Sequence, residues 1–172
     1  MQKTEKQISS SEALSKLAAL CSRSEQCTQN CLDKLAKWQI SEEESQKIIL
    51  RLTEEKYVDD RRYALFFTKD KHQLAHWGKA KIANALRLKK IPQAFIDEAL
   101  SEIKDDKYNE QLKSILLQKM KSVKAKNNFD LKSKLFRFAA GRGFEGDKVL
   151  KAIDPLIKEY STLKDDDNEF YI

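Results

Sequence analysis

Only four glycines and two prolines occur in 172 residues. Turn chemistry is correspondingly scarce, which argues against an all-β fold and in favour of long helices. No apolar run approaches the roughly 18 residues of a membrane span, and the opening MQKTEKQISS lacks the apolar core of a secretory signal. No membrane association and a cytoplasmic location are therefore expected. Cys21, Cys27 and Cys31 are odd in number and lie in the first fifth of the chain, which fits a reducing compartment better than a disulfide framework. Gly-rich phosphate loops are missing, as are recognisable nucleophile–histidine motifs, so neither an enzyme nor a cofactor is expected.

One metal arrangement needs weighing. Cys27/Cys31 and His72/His76 are i,i+4 pairs, and on helices each could offer two ligands to zinc. Tetrahedral sites usually show tighter paired spacing, so the sequence reading places Cys31 in a core and the histidines on a basic surface, with no metal.

What the chain does contain is charge and repetition. Charged residues make up 35%, hydrophobic residues 41%, and the net charge is +6 with a pI near 9.1, a balance suited to a polyanion or an acidic protein face. Aligning Ile91 with Ile40 and Phe144 brings three neighbourhoods into register. Nine, eight and five residues before these anchors stand Cys31-Leu32 with Leu35, Ile82-Ala83 with Leu86, and Leu135-Phe136 with Ala139. Nine and twelve residues after them stand Ile49 and Leu52, Leu100 and Ile103, and Ile153 and Leu156. Each set is one face of an amphipathic helix. The second helix starts by a different device in each copy: the capping box of Ser41-Glu42-Glu43-Glu44, Pro92, and the acidic Glu145-Gly146-Asp147.

A further helical segment precedes each pair, near Ser11–Ser22, Asp59–Gln73 and Asp105–Val123. The expected fold is all-α, an elongated array of three tandem three-helix repeats. Boundaries fall at a flexible N-terminus 1–10, repeats 11–58, 59–104 and 105–160, and an acidic C-terminal tail 161–172 containing Asp165-Asp166-Asp167. Trp38, Phe66, Phe67, Trp77, Phe95, Phe129, Phe136 and Phe138 fall on or beside apolar faces. They are assigned to packing rather than to nucleobase stacking.

The run DDRRYALFF at 59–67, followed by WGKAKIANALRLKKI, resembles the RecX family of bacterial recombination regulators, as does the triplicated three-helix layout. That resemblance implies binding to RecA and to its filaments on single-stranded DNA, with restraint of RecA ATP hydrolysis, strand exchange and LexA co-cleavage in the SOS response and DNA repair. Many members carry glycine just before the anchor hydrophobe; this chain has Lys90 in its second copy and Gly143 in its third, a departure that could alter the turn.

Repeat alignment also locates the candidate partner-binding surface. Lys79 and Lys81 in the second copy correspond to Lys132 and Lys134 in the third, and Lys89 corresponds to Arg142. Arg137, Arg87 and Lys90 extend the set. Between Lys69 and Lys90 there are seven Lys/Arg against one Asp, and between Lys113 and Arg142 nine against one, so the basic surface belongs to copies two and three. A monomer contacting RecA and binding DNA weakly and nonspecifically is expected. The alternative is a direct nucleic-acid-binding module in which LRLKKIPQAFIDEAL acts as a helix-turn-helix without RecA. Only Gln93 in its second helix suits base readout, and Asp97 and Glu98 would repel phosphate.

Overall fold

The computed structural model describes residues 8–168, with side chains as far as Glu159. Among the described residues there are nine α-helices and no strand: α1 Ser10–Cys21, α2 Thr28–Lys37, α3 Glu42–Glu54, α4 Asp60–Gln73, α5 Lys79–Leu88, α6 Gln93–Ser101, α7 Asp105–Ser122, α8 Asn128–Gly141 and α9 Gly146–Asn168. α9 runs on through 161–168, where the sequence suggested a tail. Residues 1–7 and 169–172 lie outside the described part. Contacts group the chain into two compact units, one of residues 1–68 with 85–100, the other of 69–84 with 101–172.

The same turn recurs at the three anchors. The residue before each anchor is left-handed: Gln39 at φ 59°, Lys90 at φ 55° and Gly143 at φ 85°. In each copy the anchor amide donates five residues back, from Ile40 to Leu35, Ile91 to Leu86 and Phe144 to Ala139, at 3.0–3.2 Å. This closure satisfies helix-end carbonyls and turns the chain. Lys90 therefore leaves the turn unaltered and accepts a conformation that glycine adopts more cheaply.

In the first unit, Ala13, Leu17, Cys31, Leu35, Ile48, Leu52 and Val58 form a buried cluster shared by α1, α2 and α3. The conspicuous acidic–basic run at 59–62 ties this unit together. The Asp59 carboxylate accepts from Arg62 N at 2.9 Å, capping its own helix. Cys27 gives α2 no side-chain cap; the Asp60 carboxylate accepts from Thr28 N at 2.8 Å instead. Arg61 pairs with Glu98 of α6, and Arg62 meets Glu25 at 2.8 Å while donating to the carbonyls of Lys56 and Tyr57.

Several core positions differ from those inferred by repeat alignment. Ile49 and Leu100 are half-buried, and the residues one place earlier, Ile48 and Ala99, occupy the interior. In α9 the expected Ile153 is buried. The three second helices thus enter their cores at slightly different rotations. The Ser41 capping box is realised in its Ser41 half, with Glu44 N donating to Ser41 Oγ at 3.3 Å, while the Glu44 carboxylate engages Ser10 and Lys47.

In the second unit α7, α8 and α9 pack on one another through Leu112, Ile115, Leu116, Leu131, Leu135, Val149 and Ile153. Tyr108 sits within this interior, 5.0 Å from the Phe144 ring and 5.7 Å from His72, centroid to centroid. Its hydroxyl accepts from Lys79 N at 3.1 Å and donates to the Glu145 carboxylate, so one phenol joins the starts of α5 and α9.

Burial, and then the Glu145 carboxylate, push the Tyr108 phenol above its ordinary value of 10.0. Above pH 10 the unfolded chain loses this proton while the folded chain keeps it. The contribution is thus fully present below about pH 10 and declines as pH rises further. Tyr108→Phe should cost about 1–3 kcal/mol at neutral pH and lessen the alkaline decline. Urea titrations at pH 7 and pH 10.5 check this; equal stability of the two proteins at both would contradict the assigned role of the hydroxyl.

Candidate partner-binding surface

The W-G-K-A-K segment at the start of α5 is held by backbone. Gly78 N donates to Arg142 O at 2.8 Å, and Ala80 N donates to Gly143 O at 3.2 Å. Free amides of one helix start meet free carbonyls of one helix end, so both sets are satisfied and the two dipoles align favourably. The approach is close enough to require glycine. A Cβ on Gly78 would fall 2.2 Å from Gly143 C and O, and one on Gly143 would fall 2.3 Å from Lys81 Cβ.

Six of the expected basic residues stand in the second unit, at this junction or along α8. The Lys81 ammonium lies 4.6 Å from the Trp77 ring centroid, with Lys71 5.9 Å from the same ring. Arg142 lies 4.8 Å from the Phe138 ring and donates to Ala75 O at 3.1 Å. Lys79 is turned toward Asp105 at 3.4 Å and the Tyr108 ring at 5.2 Å, with only 22% of its side chain exposed. Lys134 and Arg137, one turn apart on α8, continue toward Gly141, whose carbonyl accepts from Lys81 Nζ at 3.5 Å. Arg137 is exposed, and its Nε donates to Ser133 O at 3.3 Å. Lys132 pairs with Asp154, and Lys134 with Asp130 at 2.7 Å.

The remaining three lie in the first unit. Arg87 and Lys90 are exposed, whereas Lys89 is half-buried and donates to Asn30 Oδ1 at 2.6 Å. Lys79, Lys89 and Arg142 thus have anchoring roles as well as charge. Sequence reading missed this because it registers charge periodicity but not which lysine stems cross to a neighbouring helix.

Gln93, the residue of α6 suited to base readout, accepts from Arg87 Nε at 3.1 Å and donates to Asp97 at 2.7 Å. Its amide is already engaged.

Other placements differ from expectation. Phe66 is 57% exposed and Phe129 81%, so neither belongs to a core. Phe129 precedes the apolar stripe of α8 that starts at Leu131, and helix rotation turns it away from that stripe. His72 is buried rather than superficial, with Nδ1 donating to Trp77 O at 3.2 Å; desolvation lowers its pKa and favours the neutral ring. Cys27 precedes α2 and His76 follows α4 at φ 53°, so neither i,i+4 pair lies wholly on a helix. Among the described residues no group of three His, Cys, Asp or Glu could hold a metal, and no helix is long and apolar enough to cross a membrane. Burial pushes the Cys31 thiol up.

Multiple three-helix domains with lysine- and arginine-bearing faces define the chain as an all-helical protein of tandem three-helix domains among the described residues. Residues 59–100 match the second three-helix domain of RecX, and residues 105–153 match the third, together more than half of the sequence. The chain belongs to the RecX family.

A relative named regulatory protein RecX from Clostridium acetobutylicum is 29% identical over 131 residues, covering 73% of this chain and 60% of the relative. One of the same name from Acinetobacter baylyi is 27% identical, covering 89% and 93%. A crystal structure of regulatory protein RecX superposes with a TM-score of 0.76 at 21% identity, over 87% of this chain and 73% of the other, a likeness of fold. The chain spans about three fifths of the clostridial relative's length.

Proposed function

We propose that this chain binds RecA and the filament RecA forms on single-stranded DNA, and that it restrains RecA ATP hydrolysis and strand exchange. Family membership supports the regulatory role. The observation that carries the choice of a polyanionic filament is the pair of cations Lys81 and Arg137, set on helices whose ends are joined backbone to backbone. Fixed cations lose little freedom on meeting a charged lattice. Three tandem repeats bounded as read from the sequence would let one chain reach more than one subunit of the filament, so separate contacts would add by linkage.

The test measures RecA ATP hydrolysis on single-stranded DNA with increasing protein, beside a titration of the same protein on bare DNA. Inhibition is expected well below the amount that coats the DNA. Arg137→Glu should weaken binding and reduce the salt slope by about one, while helicity is retained. Inhibition that appears only when the DNA is covered would favour direct lattice competition, and unchanged ATP hydrolysis at every ratio would refute the proposal.

A further inference from the structure

One exposed aromatic ring stands where α8 begins, at the end of a loop that carries exposed lysines. Phe129 is the second residue of α8, and its 81% exposure leaves nearly the whole ring in water. Single exposed apolar residues are ordinary, but the setting of this one is not. Lys121 on the last turn of α7 and Lys124 and Lys126 in the connecting loop are all exposed. Between Lys113 and Arg142 the sole acidic residue is Asp130, and it is used within the loop. Its carboxylate accepts from Lys126 N at 2.9 Å and from Lys134 Nζ at 2.7 Å, while Lys134 also donates to Lys124 O at 2.8 Å. Asn127 Oδ1 accepts from Asp130 N at 2.8 Å. These bonds fold the loop onto the first turn of α8, while Lys121, Lys124 and Lys126 keep exposed side chains on the segment that leads into it.

An exposed planar ring at the end of a loop that carries exposed lysines matches an unpaired nucleotide, which offers a base to stack and phosphates to neutralise. A duplex would satisfy the lysines but keep its base faces stacked inside. An acidic protein surface would satisfy them too, and would leave the ring in water. We infer that Phe129 is a stacking platform for an unpaired nucleobase, with Lys121, Lys124 and Lys126 holding the neighbouring phosphates. The inference rests on the reading above in taking single-stranded DNA as part of the partner. Its test, however, contains no RecA, so the two can fail separately.

The experiment measures binding of the full chain to labelled oligothymidylate, to an oligonucleotide of equal length with abasic sites, and to a duplex, over a range of salt. Phe129→Ala should weaken binding to oligothymidylate about tenfold, and change abasic and duplex binding less than about twofold. Its salt slope should match the parent's, because no phosphate contact is removed. Phe129→Tyr should retain most of the affinity. Lys124→Gln with Lys126→Gln should lower the slope on all three ligands. Thermal unfolding of Phe129→Ala should match the parent, the ring being exposed.

Unchanged oligothymidylate binding, or an equal loss on the abasic strand, would overturn the inference. Either result would leave the regulatory reading standing, because RecA ATP hydrolysis tests that reading separately.

Discussion

Gly78→Ala is expected to destabilise the protein by about 3 kcal/mol or more, although it adds a single methyl group. The added carbon would lie 2.2 Å from the Gly143 carbonyl carbon and oxygen and 2.4 Å from Phe144 N. All three are backbone atoms, so no side chain can rotate aside. Relief requires separating the start of α5 from the α8–α9 turn, which breaks the Gly78–Arg142 and Ala80–Gly143 hydrogen bonds and pulls Lys79 N from the Tyr108 hydroxyl. Gly141→Ala is the matched control. A Cβ there meets nothing within 4 Å, and alanine should be neutral or stabilising by up to about 1 kcal/mol. Denaturation midpoints at equal slope read both. Equal midpoints for the two variants would mean that the close approach is not maintained in solution.

Leu86→Asp should be harsher still, costing about 4 kcal/mol or more, a large fraction of an ordinary domain's stability. Leu86 has no exposed surface, and its carbonyl accepts from Lys89 and Ile91 at the recurring turn. A carboxylate in its place would be buried without a cation or donor, or would force the turn open. Leu100→Asp makes the comparison informative. Repeat alignment gives both leucines interior positions, but Leu100 is only half-buried and the fully enclosed residue is Ala99. Its substitution should cost about 1–2 kcal/mol and leave a cooperative transition. Circular dichroism with urea titration separates the cases, and a Leu86→Asp protein with parental helicity and midpoint would contradict the burial.

The contrast between these leucines marks what the sequence could reveal. Helix number and order were legible because apolar residues recur at helical spacing and because three copies reinforce one another; α4 was expected at 59–73 and spans Asp60–Gln73, whereas α9 runs past the expected boundary at 160. Rotation of each helix was less legible, since Ile48 and Ile49, or Ala99 and Leu100, satisfy the same pattern and only the neighbouring helix chooses between them. The family-like run at 59–62 was visible as a motif, but its work is architectural: Asp60 caps a helix more than thirty residues earlier in the chain.

The basic surface was legible as composition. Its division into clamps such as Arg142 and outward cations such as Arg137 was not, because carbonyl partners carry no sequence signature. Phe129 was misplaced for a related reason. Hydrophobicity suggests burial unless the stripe of its own helix is traced, and that stripe begins two residues later.

The left-handed residue before each anchor shows how far copies of one unit can diverge. Gln39, Lys90 and Gly143 make the same turn, and the two nonglycine residues bear a conformational cost of about 1–2 kcal/mol each. Backbone geometry alone therefore tolerates drift at this position. In the third copy the side chain is forbidden by something else: the Lys81 backbone and Cβ occupy the space it would need. A position free to vary in an isolated repeat becomes fixed once another part of the chain is laid against it. Gly143 is held to glycine by the backbone and Cβ of residue 81, and Gly78 by the backbone of residues 143 and 144, whatever side chains those neighbours carry.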